Sequence, residues 1–263
     1  MSAFGFIAIP YVVSGFAVGF VVGMTGVGGG SLMTPLLVLL FGFHPATAVG
    51  TDLLYASITK ACGTGIHQIS QTVAWRVVGL LASGSVPASL VTLLIIRHLG
   101  NDAKVTGTLI SHVLGYALFL TVLALVLRRY VLLWAHQLSF YRRPLAQAVA
   151  TVALGAVLGV LVSLSSVGAG AIGVTMLVLL YPHLAIVRIV GTDIAHAVPL
   201  TLVAGLGHFV VGNVDLGLLA SLLIGSLPGI VLGSLLAPRV PERQLRLLLA
   251  FILAVVAGRL VVL

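Results

Sequence analysis

Long apolar runs alternate with short polar connections along the whole chain. A run of about 20 apolar residues is long enough for one helix to cross the hydrocarbon core of a bilayer. Two shorter apolar pieces, 31–43 and 171–181, each follow a glycine-rich break. The pattern predicts an all-α integral membrane protein. Its candidate spans are 5–23, 47–70, 75–96, 104–127, 145–163, 186–211, 216–237 and 243–262.

The same pattern occurs twice in the chain. It predicts a first transmembrane repeat at 1–127, a connector with an interfacial helix at 128–144, and a second transmembrane repeat at 145–263. Two hydrophobic bundles, each interrupted by glycines, are typical of a secondary transporter. The residue pairs that recur at a spacing of 140 or 141 include Gly15/Gly155, Gly30/Gly170, Asp52/Asp193, His67/His208 and Pro87/Pro228.

Composition excludes a water-soluble globular domain. The chain is 60% hydrophobic and 7% charged, whereas soluble domains carry about 25% charged residues. The formal net charge of +8 would suggest nucleic acid in a soluble protein. Here most cations fall in short connections, which indicates membrane orientation instead. We therefore expect the lipid bilayer, and no nucleic acid, as the macromolecular environment.

The cations also predict the topology. If residues 5–43 enter the membrane and return at the glycines, nine cations share one side and only Arg97 and Lys104 face the other. A single crossing would instead divide the cations almost evenly. The positive-inside rule therefore favours two inverted-topology repeats, each a glycine-broken helical hairpin followed by three transmembrane helices. Such a protein is multi-pass in the inner (cytoplasmic) membrane, with both termini non-cytoplasmic. The cations on the predicted cytoplasmic side are Arg76, Arg128, Arg129, Arg142, Arg143, Arg188, Arg239, Arg243 and Arg246.

The glycine-rich breaks are candidate binding elements. A helix that begins at such a break presents free N–H donors and a partial positive charge, which suit an anion. The alternative is that the glycines only allow close helix packing. Packing explains glycines spaced by four, such as Gly15 and Gly19, but consecutive glycines have no packing period. The predicted binding residues at the breaks are Gly28, Gly29, Gly30, Ser31, Ser165, Ser166, Gly168 and Gly170.

Lys60 lies in the middle of a predicted span, where a charge is costly and is usually functional. Thr64 and His67 share its helical face, so the three side chains can line one cavity as substrate ligands. His208 is the equivalent of His67 and is a fourth candidate. The alternatives are that Lys60 extends to the membrane surface and that both histidines are satisfied polar groups there.

Asp52, Asp193 and His196 form a second group of candidates. Asp193 and His196 are three residues apart on one helical face and can relay a coupled proton, and Asp52 is the equivalent of Asp193. The alternative is that both carboxylates only stabilise helix N-terminal ends. No histidine pair has the spacing of a zinc site, so we expect neither a metal nor another cofactor.

The paired glycine breaks, each followed by Gly-Thr-Asp (residues 50–52 and 191–193), resemble the TauE/SafE sulfite-exporter family of membrane transporters. The resemblance extends over nearly the whole chain. It implies transport of a small anion such as sulfite, thiosulfate, a sulfonate or a small carboxylate. The second break, with Ser166 and Ala169 among its glycines, departs from the family pattern more than the first.

These features favour a secondary transporter that moves a small anion by alternating access, with coupled protons as a further partner. An anion channel is one alternative, because it also passes anions, but broken-helix repeats are typical of transporters. An intramembrane enzyme is another, but no serine has a histidine base close in sequence.

Overall fold

The fold is that of a computed structural model, which describes residues 8–25, 30–69, 71–99, 103–135, 144–236, 250–251, 253–255 and 257–258. These residues are helical apart from short connections and contain no strand, which confirms the predicted all-α class. Residues 250–251, 253–255 and 257–258 are also helical. The helices are α1 (Ile9–Thr25), α2 (Gly30–Leu39), α3 (Pro45–Ile69), α4 (Trp75–Leu99), α5 (Ala103–Ala135), α6 (Pro144–Ser165), α7 (Ala171–Leu180), α8 (Ile186–Val210) and α9 (Leu216–Leu236).

Five of the described helices are long and apolar enough to cross a membrane: α4, α5, α6, α8 and α9. This confirms a multi-pass membrane protein. Helix α3 has the same 25 residues as α8 but carries Asp52, Lys60 and His67 among its apolar residues, so it is less hydrophobic. It is therefore the polar helix of the bundle.

Helices α6 and α7 form a hairpin, because α7 runs back along α6. The Gln147 side-chain amide near the start of α6 donates to the carbonyl of Leu180 at the end of α7. The hydroxyls of Thr151 and Tyr181 lie 2.8 Å apart. Helices α1 and α2 are arranged in the same way, with the Tyr11 and Phe41 rings 5.0 Å apart between centroids. Since α7 has 10 residues, it rises about 15 Å and spans only half of a bilayer core.

Glycines join the two repeats by letting helix backbones touch. A Cβ added to Gly15 of α1 would overlap the Leu222 carbonyl of α9. A Cβ on Gly19, one turn later, would lie 2.6 Å from the Ser226 carbonyl oxygen. The contact moves four residues toward the C-terminus on both helices at once, so α1 and α9 run parallel. The packing interpretation of the glycines spaced by four is thus confirmed.

The equivalent pair, α4 and α6, packs in the same way. Gly155 lies against the Leu81 carbonyl and Gly159 against the Ser85 carbonyl. These partners are the repeat equivalents of Leu222 and Ser226. The first helix of each repeat therefore packs along the fourth helix of the other.

Helices α3 and α8 cross at the centre of the molecule and run antiparallel. Gly205 of α8 packs on Leu54 of α3, whereas Gly50, earlier on α3, packs on His208, later on α8. A buried apolar cluster that includes Leu53 and Leu200 surrounds the crossing. The polar side chains of both helices therefore meet inside the protein.

The connector begins as a continuation of a helix. Helix α5 is 33 residues long and ends at Ala135, so the first part of the predicted connector at 128–144 prolongs α5. The rest, residues 136–143, lies outside the described residues.

We expect Gly155→Ala to lower the thermal stability of the purified protein, because the new methyl group would overlap the Leu81 carbonyl. Gly79 is the matched control: it lies on the neighbouring helix, α4, with nothing within 4 Å of an added Cβ. Alanine in place of glycine stabilises an unhindered helix by about 1 kcal/mol, so Gly79→Ala should leave the unfolding temperature unchanged or raise it. Equal stability of the two variants in a detergent melting assay would contradict the packing role of Gly155.

Candidate functional site

The second glycine-rich break is buried at the centre of the molecule and has an unusual backbone. Ser166, Gly168 and Gly170 have φ angles of 58°, 126° and 129°. A φ of that size at Gly168 and Gly170 is strained for any residue with a Cβ. These two positions therefore require glycine for the backbone conformation.

Hydrogen bonds hold the break in shape. The Ser165 hydroxyl donates to the Leu161 carbonyl at 2.7 Å and accepts from the Val167 amide at 3.2 Å. Both hydrogen bonds of the Ser165 hydroxyl are therefore local and stabilise the turn. Ser165, predicted as a substrate ligand, has a structural role in this conformation.

The N-terminus of α7 opens at this break. The amides of Gly173 and Val174 donate to the carbonyls of Gly168 and Gly170, each at 3.1 Å. The two amides that precede them, those of Ala171 and Ile172, have no acceptor among the described residues. They are the donors that a helix N-terminus leaves available.

Ser166 differs from its neighbour Ser165. Its side chain is only 5% exposed. Its hydroxyl lies close enough to the Asp52 carboxylate to interact with it, but it makes no hydrogen bond of regular geometry with a described residue. A non-glycine residue in the left-handed region is uncommon, and a buried polar group without a partner is costly. Both features are typical of a binding site.

Lys60 reaches this break from α3. Its ammonium donates to the Ala169 carbonyl at 3.4 Å, and its side chain is half-buried. Because Ala169 belongs to the other repeat, this hydrogen bond joins the two repeats. Thr64, also predicted as a ligand, donates to the Lys60 carbonyl at 2.9 Å.

Two buried carboxylates accompany the lysine. The Lys60 ammonium interacts electrostatically with Asp193 and, more weakly, with Asp52. Asp52 accepts a hydrogen bond from the Thr34 hydroxyl, and Asp193 lies against Gly173 of α7. The carboxylates lie inside the bundle, so the alternative that they only stabilise helix ends does not describe their positions.

His196 lies one turn after Asp193 and pairs with Ser85 of α4, whose hydroxyl is 2.8 Å from the His196 Nε2. Its Nδ1 is buried and has no partner. The equivalents in the other repeat are Tyr55 and Ser226, both buried. One repeat thus has an imidazole where the other has a phenol.

His208 is placed away from this charged group. Its Nε2 donates to the Ser163 carbonyl at 2.9 Å, and the Ser163 hydroxyl donates to Ser89 at 2.7 Å. A carbonyl oxygen only accepts, so Nε2 carries the proton in this bond. The side chain of His67, the repeat equivalent of His208, lies outside the described residues.

The first break is only partly described. Gly28 and Gly29 lie outside the described residues, whereas Gly30 and Ser31 begin α2. The Ser31 side chain is buried, at 7% exposure. Within the described residues, the hydrogen bond between Lys60 and a glycine-rich break is the one to the Ala169 carbonyl of the second break.

Thr34 and Ser85 are contacts of the site that sequence reasoning missed. Each supplies a hydroxyl to a residue that the sequence had singled out, Asp52 and His196. Both hydroxyls are conserved in position between the repeats, since Thr175 and Ser226 are their equivalents. This correspondence was the available signal, but hydroxyls in apolar helices usually bond their own backbone.

The chain matches a family model and curated relatives over nearly its full length. Residues 11–260 match the model of the family described as sulfite exporter TauE/SafE. The probable membrane transporter protein YjnA of Bacillus subtilis is 37% identical over 255 residues, which cover 97% of this chain and 100% of the relative.

A second protein of Bacillus subtilis, the probable membrane transporter protein YdhB, is 27% identical over 250 residues, or 93% of this chain and 96% of the relative. No solved structure matches the chain. The family model and the similarity to YjnA together extend through both repeats. The chain therefore belongs to the TauE/SafE sulfite exporter family and is a membrane transporter, not an enzyme.

Proposed function

We propose that this protein is a secondary transporter that carries a small anion across the cytoplasmic membrane by alternating access. The substrate class is sulfite, thiosulfate, a sulfonate or a small carboxylate. The proposal rests on the position of the Lys60 ammonium. Lys60 lies near the middle of α3, and its ammonium donates a hydrogen bond to the Ala169 carbonyl of the second break. It brings a cation to a helix N-terminus at membrane depth.

The break supplies donors that suit the oxygens of an anion. The amides of Ala171 and Ile172 begin α7 and have no acceptor among the described residues. The Ser166 hydroxyl is buried beside Asp52 without a hydrogen bond of regular geometry to a described residue. Together with the Lys60 ammonium they offer several hydrogen bonds and a positive charge. Gly30 and Ser31, which begin α2, are the residues of the first repeat that we propose as further ligands.

Binding requires Lys60 to change partners. In the structure the ammonium is held by the Ala169 carbonyl and by the charges of Asp193 and Asp52. An anion competes for the ammonium and weakens these interactions. Since Lys60 belongs to the first repeat and Ala169 to the second, the exchange changes a contact between the halves that move in alternating access.

The helix directions support the inverted-topology repeats that we propose. Helices α3 and α8 are repeat equivalents, and their contacts, Leu54 with Gly205 and Gly50 with His208, run in opposite senses. Equivalent helices that point in opposite directions are the mark of inversion. The pseudo-twofold axis then lies in the membrane plane, close to Lys60.

A thermal-shift screen of the purified protein tests the proposed binding. The candidates are sulfite, thiosulfate, sulfate, sulfoacetate, lactate and pyruvate. A ligand that binds only the folded state raises its stability by mass action, about 2.7 kcal/mol at a hundred times its Kd. Saturable uptake of the stabilising anion into proteoliposomes is expected, whereas flux that does not saturate would indicate a channel. No shift with any of these anions would contradict the substrate class.

Lys60→Met is expected to weaken anion binding about tenfold or more, a loss of about 1.4 kcal/mol or more, because it removes the cation from the site. Lys60→Arg should retain part of the affinity. Arg97→Met removes the same charge from an exposed position at the end of α4 and is the matched control. Isotherms from isothermal titration calorimetry measure the effect, and unchanged affinity in Lys60→Met would show that the helix N-terminus alone binds the anion.

The two adjacent serines should respond differently to loss of the hydroxyl. Ser165→Ala is expected to lower the unfolding temperature, because it removes the hydrogen bonds with Leu161 and Val167. Ser166→Ala is expected to lower that temperature less than Ser165→Ala does and to weaken anion binding, since the Ser166 hydroxyl interacts with Asp52 but makes no hydrogen bond of regular geometry. If Ser166→Ala melts early and binds normally, Ser166 is a structural residue.

Equivalent loops of inverted repeats face opposite sides of the membrane. In a Cys62→Ala background, Gln71→Cys, between α3 and α4, should resist an impermeant thiol reagent added outside intact cells. Asn213→Cys, in the equivalent loop between α8 and α9, should react. Labelling of both residues from outside would refute the inverted arrangement and the cytoplasmic placement of Arg76.

A further inference from the structure

The two equivalent carboxylates have different surroundings. The Thr34 hydroxyl donates to Asp52. The equivalent threonine, Thr175, instead donates to the Ala171 carbonyl one turn back on its own helix, at 2.7 Å. Among the described residues, Asp193 therefore has no counterpart of the Thr34 bond. The Oδ1 atoms of both carboxylates are buried without a partner, so the bond from Thr34 to the Asp52 Oδ2 is the difference between them.

Charge balance shows why this difference matters. With both carboxylates ionised, Asp52, Asp193 and Lys60 together carry one net negative charge. At low dielectric a negative group of charges repels an anion strongly. One proton on either carboxylate cancels the excess and leaves Lys60 with a single ionised partner.

We infer that the proton that enters with the anion binds to Asp193, and that Asp52 stays ionised as the permanent partner of Lys60. The inference rests on the proposed anion transport. It follows from the hydrogen bonds: the hydroxyl of Thr34 stabilises the carboxylate form of Asp52, and no described residue does the same for Asp193. The first repeat thus supplies the carboxylate that stays paired with Lys60, and the second repeat supplies the carboxylate that binds the proton.

Few charged or titratable groups of the described helices lie around Asp193. Lys60, on α3, acts on Asp193 and its charge favours the carboxylate form. An anion that draws Lys60 away removes this effect, so the proton binds as the anion does. Gly173 of α7 lies directly against its Oδ1, with Leu158 of α6 beside it. His196 lies one turn further along α8, hydrogen-bonded to Ser85, and is the adjacent group that can pass a proton on.

Gly173 leaves space for the Asp193 carboxyl group at the start of α7. An added Cβ would overlap the Asp193 Oδ1, so the absence of a side chain leaves room for the carboxyl group beside the start of α7. Asp193, on α8, thus packs against α7, the short helix whose N-terminus is proposed to bind the anion. Proton and anion sites that share α7 can affect one another directly.

The transport test uses purified full-length protein in proteoliposomes with radiolabelled thiosulfate, an anion that does not titrate near neutral pH. We expect Asp193→Asn to lose accumulation driven by a pH gradient, with the internal concentration falling to equilibration. Counterflow of thiosulfate without a gradient should persist and become independent of pH. Asp52→Asn should keep the pH dependence of counterflow and melt at a lower temperature, since it loses the charge that pairs with Lys60. Loss of gradient-driven accumulation in Asp52→Asn alone, or in neither variant, would overturn the inference.

Infrared difference spectroscopy gives a readout that does not depend on the substrate. The wild type should show a protonated-carboxyl band that titrates with pH. This band should vanish in Asp193→Asn, persist in Asp52→Asn and move in Asp193→Glu, the variant that retains a carboxyl group. A band that is unchanged in Asp193→Asn would overturn the assignment. If wild-type liposomes take up no thiosulfate, the proposed function fails for that anion, and the infrared result alone decides the role of Asp193.

Discussion

The structure depends on one constraint: in a bilayer, every backbone polar group needs a partner inside the protein. The break at residues 165–170 interrupts a helix at membrane depth, and all six residues are buried. Helices α3 and α8 cover it. The Ser165 hydroxyl accepts from the Val167 amide, and the amides of Gly173 and Val174 donate to the Gly168 and Gly170 carbonyls. The glycine contacts between α1 and α9 and between α4 and α6 then close the bundle around it. The remaining donors of the break can therefore face a cavity without exposure to lipid.

Symmetry builds the scaffold, and departures from symmetry build the site. The glycine contacts of the two repeats match pair by pair, for example Gly19 with Ser226 and Gly159 with Ser85. The residues around the break do not match. Lys60 corresponds to Thr201, whose hydroxyl bonds the Ala197 carbonyl of its own helix. A symmetric pair of lysines would place two ammonium groups together near the membrane midplane, where each is costly. One lysine between two carboxylates avoids that repulsion.

The hydropathy pattern was enough to predict most helices to within a few residues, because long apolar runs have few alternatives in a membrane. The glycine-broken hairpins and the mid-span position of Lys60 were likewise visible in the sequence. The surroundings of Asp52 and Asp193 were not, because α3 and α8 cross each other, and a crossing between helices far apart in the chain has no local signature. The local hydrogen bonds of Ser165 could not be predicted either, since a serine beside a glycine break can serve as a ligand or as a cap.

The same electrostatics bears on how an empty transporter can change conformation. A lone ammonium at the bilayer centre costs about 2.5–3.5 kcal/mol by insertion scales, so an empty site with only Lys60 would resist any state that buries it further. Asp52 and Asp193 offset that cost when no anion is present. When an anion binds, its charge offsets that of the Lys60 ammonium in place of a carboxylate. A proton on one carboxylate then removes the surplus negative charge. On the proposed function and for a monovalent anion, the empty site with both carboxylates ionised and the loaded site with one of them protonated each carry one net negative charge. This is the condition for both to cross between inward-facing and outward-facing states at comparable cost. The lysine and its two carboxylates are therefore better understood as one charge-balancing unit than as a binding residue with two structural neighbours.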